Sequence, residues 1–140
     1  MRLFWSPAPE LERPVTPTAA RAALDSFLPM VIGRSEMEGP VLLLRGEVWT
    51  MSVLGTWRWI TAAGAFVDEQ SPDVADEVWN LTGETITSVS WSSPTEYGLD
   101  PTLHLRSGGR LDVSSDAAFD TWTINTPSVV LVGPLVERRT

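Results

Sequence analysis

Between residues 102 and 115 the chain reads TLHLRSGGRLDVSS, two runs of alternating apolar and polar residues around Gly108 and Gly109. Such alternation predicts a β-hairpin with one face buried. Leu103 and Leu105 share a face in the first strand, and Leu111 and Val113 share one in the second. Setting Leu105 opposite Leu111 and Leu103 opposite Val113 brings both pairs to a common core. It leaves the loop Ser107-Gly108-Gly109, which suits a type I turn closed by a left-handed glycine. A two-residue Gly-Gly turn would instead set Leu105 against Asp112. The preferred register puts His104 opposite Asp112 on the polar face, and Arg106 opposite Arg110.

The remaining pattern surrounds this hairpin with short elements. Residues 1–15, with Pro7, Pro9 and Pro14, read as an N-terminal arm whose Leu3, Phe4 and Trp5 tuck against the domain. Thr16 and Pro17 signal a helix start, as N-cap and first helical residue. Ala20, Ala23, Leu24, Phe27 and Leu28 form the apolar stripe of that helix, and Pro29 stops it. Residues 33–40 read as a polar connection. A strand follows at 41–44, Arg45-Gly46 interrupts it, and the apolar run resumes with Val48, Trp49, Met51 and Val53. Gly55 marks a turn. In residues 56–62, Trp57 and Trp59 share one face and Arg58 and Ile60 the other, and residues 65–67 return after Gly64.

Ser71-Pro72-Asp73 predicts a second helix over 72–81, with Ser71 as cap and Asp73 at the positive end. Its inward stripe is Val74, Ala75, Val78, Trp79 and Leu81; Asp76 and Glu77 face solvent, and Gly83 closes it. Residues 84–92 read as a strand with Thr85, Thr87, Val89 and Trp91 on one face and Ile86, Ser88 and Ser90 on the other. A loop at 93–101 carries Tyr97, the single tyrosine. A turn at 116–120 leads to a strand at 121–125 with Trp122 and Ile124 inward. Pro127-Ser128 then turns the chain into a last strand at 129–132. The short connections after Glu84 favour antiparallel pairing, since a parallel crossover needs a dozen or more residues. The expected architecture is an α+β fold: an antiparallel, mostly meander β-sheet with two short helices packed on its dry face. One domain spans 16–134, and 135–140 form a C-terminal tail.

Composition narrows the function classes. A chain of 140 residues can bury a core without staples. It has no cysteine, so disulfides and thiolate chemistry are excluded, and a cytoplasmic location is expected. No apolar run approaches the length of a membrane span, and Pro7, Pro9, Glu10 and Glu12 break any signal-peptide layout. The net charge is −8 and all ten basic residues are arginine, with no basic stripe for nucleic acid. The acidic balance favours solubility and steers the protein toward a basic protein partner.

No catalytic constellation emerges. One histidine and no cysteine cannot make a zinc site. Asp68, Glu69, Asp73, Asp76 and Glu77 lack the spacing of a calcium loop. No phosphate loop is present, because Ser107-Gly108-Gly109-Arg110 joins two strands and opens no helix. His104 and Asp112 supply two members of a hydrolytic triad, but Ser107, Ser114 and Ser115 sit in no nucleophile elbow. No cofactor or metal is expected. The seven tryptophans are mostly core, with one or two left as binding anchors. The candidate binding residues are Trp59, following Arg58 on a partly covered strand; Tyr97 with its neighbours Glu96 and Asp100 as rim carboxylates; and His104 with Asp112.

The order and spacing of Val78-Trp79-Asn80-Leu81-Thr82-Gly83, Asp100-Pro101-Thr102-Leu103-His104-Leu105, Gly109-Arg110-Leu111-Asp112-Val113, Trp122-Thr123-Ile124 and Val132-Gly133 resemble a group of small uncharacterised actinobacterial proteins. With Val48-Trp49 and Trp57-Arg58 the likeness spans residues 40–134. Such proteins in turn resemble immunity proteins of polymorphic toxin systems. The resemblance implies a non-enzymatic protein-binding module that inhibits a toxin. The alternatives are a small-molecule module with a pocket between helix and sheet, and a structural domain that self-assembles, for instance as a dimer, through an uncovered sheet edge or face.

Overall fold

A computed structural model describes residues 16–92, 95–117 and 121–136. The N-terminal arm and the Arg138-Arg139 end lie outside the described residues. In chain order the elements are α1 (Pro17–Phe27), β1 (Met30–Val31), β2 (Arg34–Glu38), β3 (Val41–Arg45), β4 (Thr50–Val53), β5 (Thr56–Ile60), β6 (Phe66–Asp68), α2 (Val74–Val78) with a 3-10 turn (Trp79–Leu81), β7 (Thr85–Trp91), β8 (Pro101–Leu105), β9 (Arg110–Ser114), β10 (Trp122–Asn125) and β11 (Val130–Gly133).

The fold is α+β with antiparallel pairing throughout, and most neighbours in the sheets are neighbours in sequence. The strands divide between two sheets where one had been expected. A six-stranded sheet runs β1-β7-β8-β9-β5-β6, and a five-stranded sheet runs β11-β10-β4-β3-β2. Alternation explains the division. Six strands each have one apolar row: Leu42 and Leu44, Met51 and Val53, Trp57 and Trp59, Leu103 and Leu105, Leu111 and Val113, Trp122 and Ile124 are all buried. These rows join one contiguous core. The helices are too small to cover it, since α1 buries only Ala20 and Leu24 and α2 only Val78. The sheets cover each other, and α2 with the 3-10 turn packs on β2, α2 also reaching β6, both edge strands.

Gly55 sits where the chain changes sheet. The Leu54 and Gly55 N–H groups both donate to the Thr121 carbonyl, at 2.8 and 3.0 Å, as β4 passes into β5. A Cβ at Gly55 would meet the Ser114 carbonyl oxygen at 3.1 Å, so the expected turn residue serves a close backbone crossing.

The hairpin keeps its faces but shifts its register. Leu103 pairs with Leu111, Thr102 with Asp112 and His104 with Arg110. The loop is Arg106-Ser107-Gly108, closed by Leu105 N–H to Gly109 O at 2.9 Å, with Gly108 at φ 103°. Leu105 is therefore not opposite Leu111, nor Arg106 opposite Arg110. Pairing partners move by two residues, which preserves every inward side chain. The loop carries the shift, because Gly108 and not Gly109 takes the left-handed position; Gly109 lies beside the end of β5, where a Cβ would come 2.7 Å from the Ile60 carbonyl oxygen.

Other departures have local causes. A bulge between Ile86 and Ser88 lets Ile86 share the core side with Val89 and Trp91, which strict alternation had separated. Residues 33–40 contain β2, an edge strand whose Ser35 is buried while Arg34 and Glu38 are exposed; its polarity hid its alternation. The second helix starts at Val74 because Ser71 Oγ turns back to accept from the Asp68 N–H at 2.9 Å and does not cap. The first helix follows expectation, with Thr16 Oγ1 accepting from the Ala19 N–H at 3.1 Å. Val48, placed in the apolar run, is exposed in the β3–β4 connection, whereas Trp49 folds over Gly46 into the core. Leu135, assigned to the tail, exchanges two backbone hydrogen bonds with Leu99, at 2.8 and 3.0 Å.

Candidate functional site

Two surfaces carry the polar and aromatic groups that alternation turns outward. The first is the solvent face of the six-stranded sheet. Pairing registers align Ser90, Thr102, Asp112, Arg58 and Asp68 in one row across five strands. Ser88, His104, Arg110, Ile60 and Phe66 form the adjacent row. His104 Nε2 lies 2.7 Å from Ser90 Oγ. Asp112 accepts from Thr102 Oγ1 at 3.0 Å and from Arg110 Nε at 3.3 Å. The Arg58 guanidinium lies over the Phe66 ring, 4.9 Å from its centroid. Beside Arg58, a groove of about 270 Å³ is lined by Thr56, Arg58, Asp68, Glu69, Asp112 and Ser114.

The structure thus brings His104 and Asp112 onto one face but in neighbouring rows, each engaged elsewhere. The direct opposition expected of them is absent, because the register shift moved Arg110 opposite His104. Two of the three serines considered for a triad are also committed. Ser107 Oγ donates to Glu84 at 3.2 Å, and Ser115 Oγ bonds Asp100. Among the described residues no group of three histidine or acidic side chains could hold a metal ion. Asp68 instead accepts from the Gln70 N–H two residues on, and Glu69 from the Trp57 N–H of β5.

Two expected surface residues are internal. Trp59 is 7% exposed, on the inward face with Trp57, and offers no surface anchor. Asp100 is 4% exposed and is no rim carboxylate. It accepts from Ser115 N–H at 2.9 Å, Ser115 Oγ at 2.5 Å and Trp122 Nε1 at 2.8 Å. It ties the six-stranded sheet to a tryptophan of the other sheet. Glu96 is exposed and Tyr97 half-buried, in a turn held by Thr95–Gly98 hydrogen bonds and by the Leu99–Leu135 pairing. Among the described residues no hydrogen bond joins that turn to His104 or Asp112.

The second surface centres on a residue that the sequence reading had turned inward. Trp79 is 51% exposed, whereas Val78 and Leu81 are fully buried. Ala75, one turn earlier on the same side as Trp79, is exposed as well, so the inward stripe is Val74, Val78 and Leu81 and not the Ala75–Trp79 side expected with it. Arg34 of β2 lies over its ring, 6.0 Å from the centroid. The same guanidinium binds Glu36 at 3.2 Å, and Arg45 approaches Glu36 at 3.9 Å. The result is a Trp79–Arg34–Glu36–Arg45 chain across the β2 edge. The alternating charges of RSEME were the available signal, once read as a strand.

Against models of known protein families, curated proteins and solved structures, the chain finds no match. No described helix is long and apolar enough to cross a membrane.

Proposed function

We propose that this chain is a non-enzymatic module that docks another protein, of the inhibitory immunity type its sequence resembles, and that Trp79 with Arg34 anchors the contact. The observation that carries the reading is an exposed tryptophan held by an arginine that is itself held by Glu36. Tryptophan and arginine are the side chains most enriched among residues that dominate binding energy. Restraint before binding lowers the ordering cost on association. Asp76 and Glu77, exposed on the adjoining helix, add acidic groups beside the anchor, and the net charge of −8 favours a basic partner. A cysteine-free chain is compatible with work in the cytoplasm.

The test immobilises the purified protein, passes lysate of its own host over it and measures what is retained at moderate salt. Support requires a stoichiometric protein whose own activity falls on binding, retained by the wild type and by His104→Ala but lost by Trp79→Ala. A partner held equally by Trp79→Ala refutes the anchor, and no retained protein under verified expression of candidate toxins refutes the docking function.

A further inference from the structure

The four sheet edges are built differently. β1 has two residues, and β6 has three, including Asp68, with α2 against it. β2 bears Arg34, Glu36 and Glu38 and is covered by α2 and the 3-10 turn. Shortness, charge and cover are the usual means of blocking an edge. β11 has none of them among the described residues: it reads Val-Leu-Val-Gly, and Val130 and Val132 are 60% and 46% exposed.

Its backbone is also open among the described residues. The Thr126 N–H donates to Val129 O at 2.9 Å, which makes that pair hydrogen-bonded and, by alternation, the Ile124–Leu131 pair too. The Leu54 N–H donates to Thr121 O at 2.8 Å, so Thr121, Thr123 and Asn125 direct their groups to β4. Val130 and Val132 stand opposite Asn125 and Thr123, and their own N–H and C=O groups point away from the sheet.

We propose that β11 is a dimerisation edge that pairs antiparallel with β11 of a second copy about a two-fold axis at Leu131. Val130 then faces Val132 of the second copy, twice, giving four backbone hydrogen bonds and two valine–valine pairs. The two five-stranded sheets become one continuous sheet. A register centred on Val132 would oppose Val130 to Pro134, which has no N–H. Charge selects self-pairing. The outward residues beside β11 are Thr123, Asn125, Ser52 and Thr50, all neutral in a chain of net charge −8. Two copies meet here without like charges opposed.

The test is sedimentation of the full chain over a concentration series, with V130K/V132K as the variant. Both side chains are exposed, so a far-UV circular dichroism spectrum matching that of the wild type verifies its fold. The wild type is expected to dimerise and the variant to dimerise at least about tenfold more weakly, because each valine pair becomes a like-charge pair. Register is read by disulfide formation, since the chain has no native cysteine. A mixture of V130C and V132C should cross-link where either alone does not. A wild-type monomer at the highest concentration, a dimer indifferent to V130K/V132K, or V130C cross-linking alone as well as the mixture overturns the proposal.

Discussion

Replacing Asp100 by alanine should destabilise the fold more than any surface change, and the structure says by how much. The substitution keeps the backbone bonds with Ser92 at 2.9 and 3.1 Å. It removes the acceptor of three donors: Ser115 N–H, Ser115 Oγ and Trp122 Nε1. Ser115 Oγ retains Thr121 Oγ1 at 2.6 Å, but the Trp122 indole N–H, on a residue 1% exposed, loses the acceptor it has among the described residues. A stranded buried donor costs about 1–3 kcal/mol, and a hydrogen bond to a charged group contributes about 1.5–3 kcal/mol. Relief of the carboxylate's own dehydration returns part of this. The net loss should be about 2–4 kcal/mol, read by urea titration, with a fall in Tm of roughly 8–15 °C. A double-mutant cycle with Trp122→Phe isolates the bond between the sheets and should show a coupling of about 1–2 kcal/mol. A loss below about 0.5 kcal/mol, or additive single changes, would refute the role assigned to this carboxylate.

Further outcomes follow from close approaches and exposure. Gly133→Ala places a Cβ 1.8 Å from the Trp122 ring, which Asp100 holds in place, so urea titration should show a loss of about 3 kcal/mol or more. Gly109→Ala meets the Ile60 carbonyl oxygen at 2.7 Å and should cost about 1–3 kcal/mol by the same titration. Thr16→Ala removes the α1 cap and should cost about 1 kcal/mol. Trp79→Ala should leave Tm within a few degrees of wild type, because half the side chain is already in solvent, while abolishing partner retention.

Local chemistry made much of this chain legible before any coordinates. Thr16-Pro17 and Pro29 bound α1 because capping and proline act within one turn. Leu103, Leu105, Leu111, Val113, Trp122 and Ile124 declare their inward faces because a strand alternates with a period of two, whatever it pairs with. That period does not determine what lies opposite. The hairpin register was decided in the loop, where Gly108 and not Gly109 takes the left-handed position and Leu105 pairs with Gly109, and this moved His104 away from Asp112. Nor could alternation say that one sheet would cover the other, because covering depends on the area the helices lack. Asp100 and Glu96 look alike in sequence, yet one is buried by donors from distant strands and the other remains in solvent. Trp79 became the exposed tryptophan because the short helix buries only the Val78–Leu81 side and turns the Ala75–Trp79 side outward, and an apolar stripe drawn wide enough to hold both sides does not say which of them the sheet will cover. The sequence by itself determined which residues seek the core within each element; only the tertiary structure decided which elements meet, and therefore which polar groups are satisfied inside and which remain outside for another molecule.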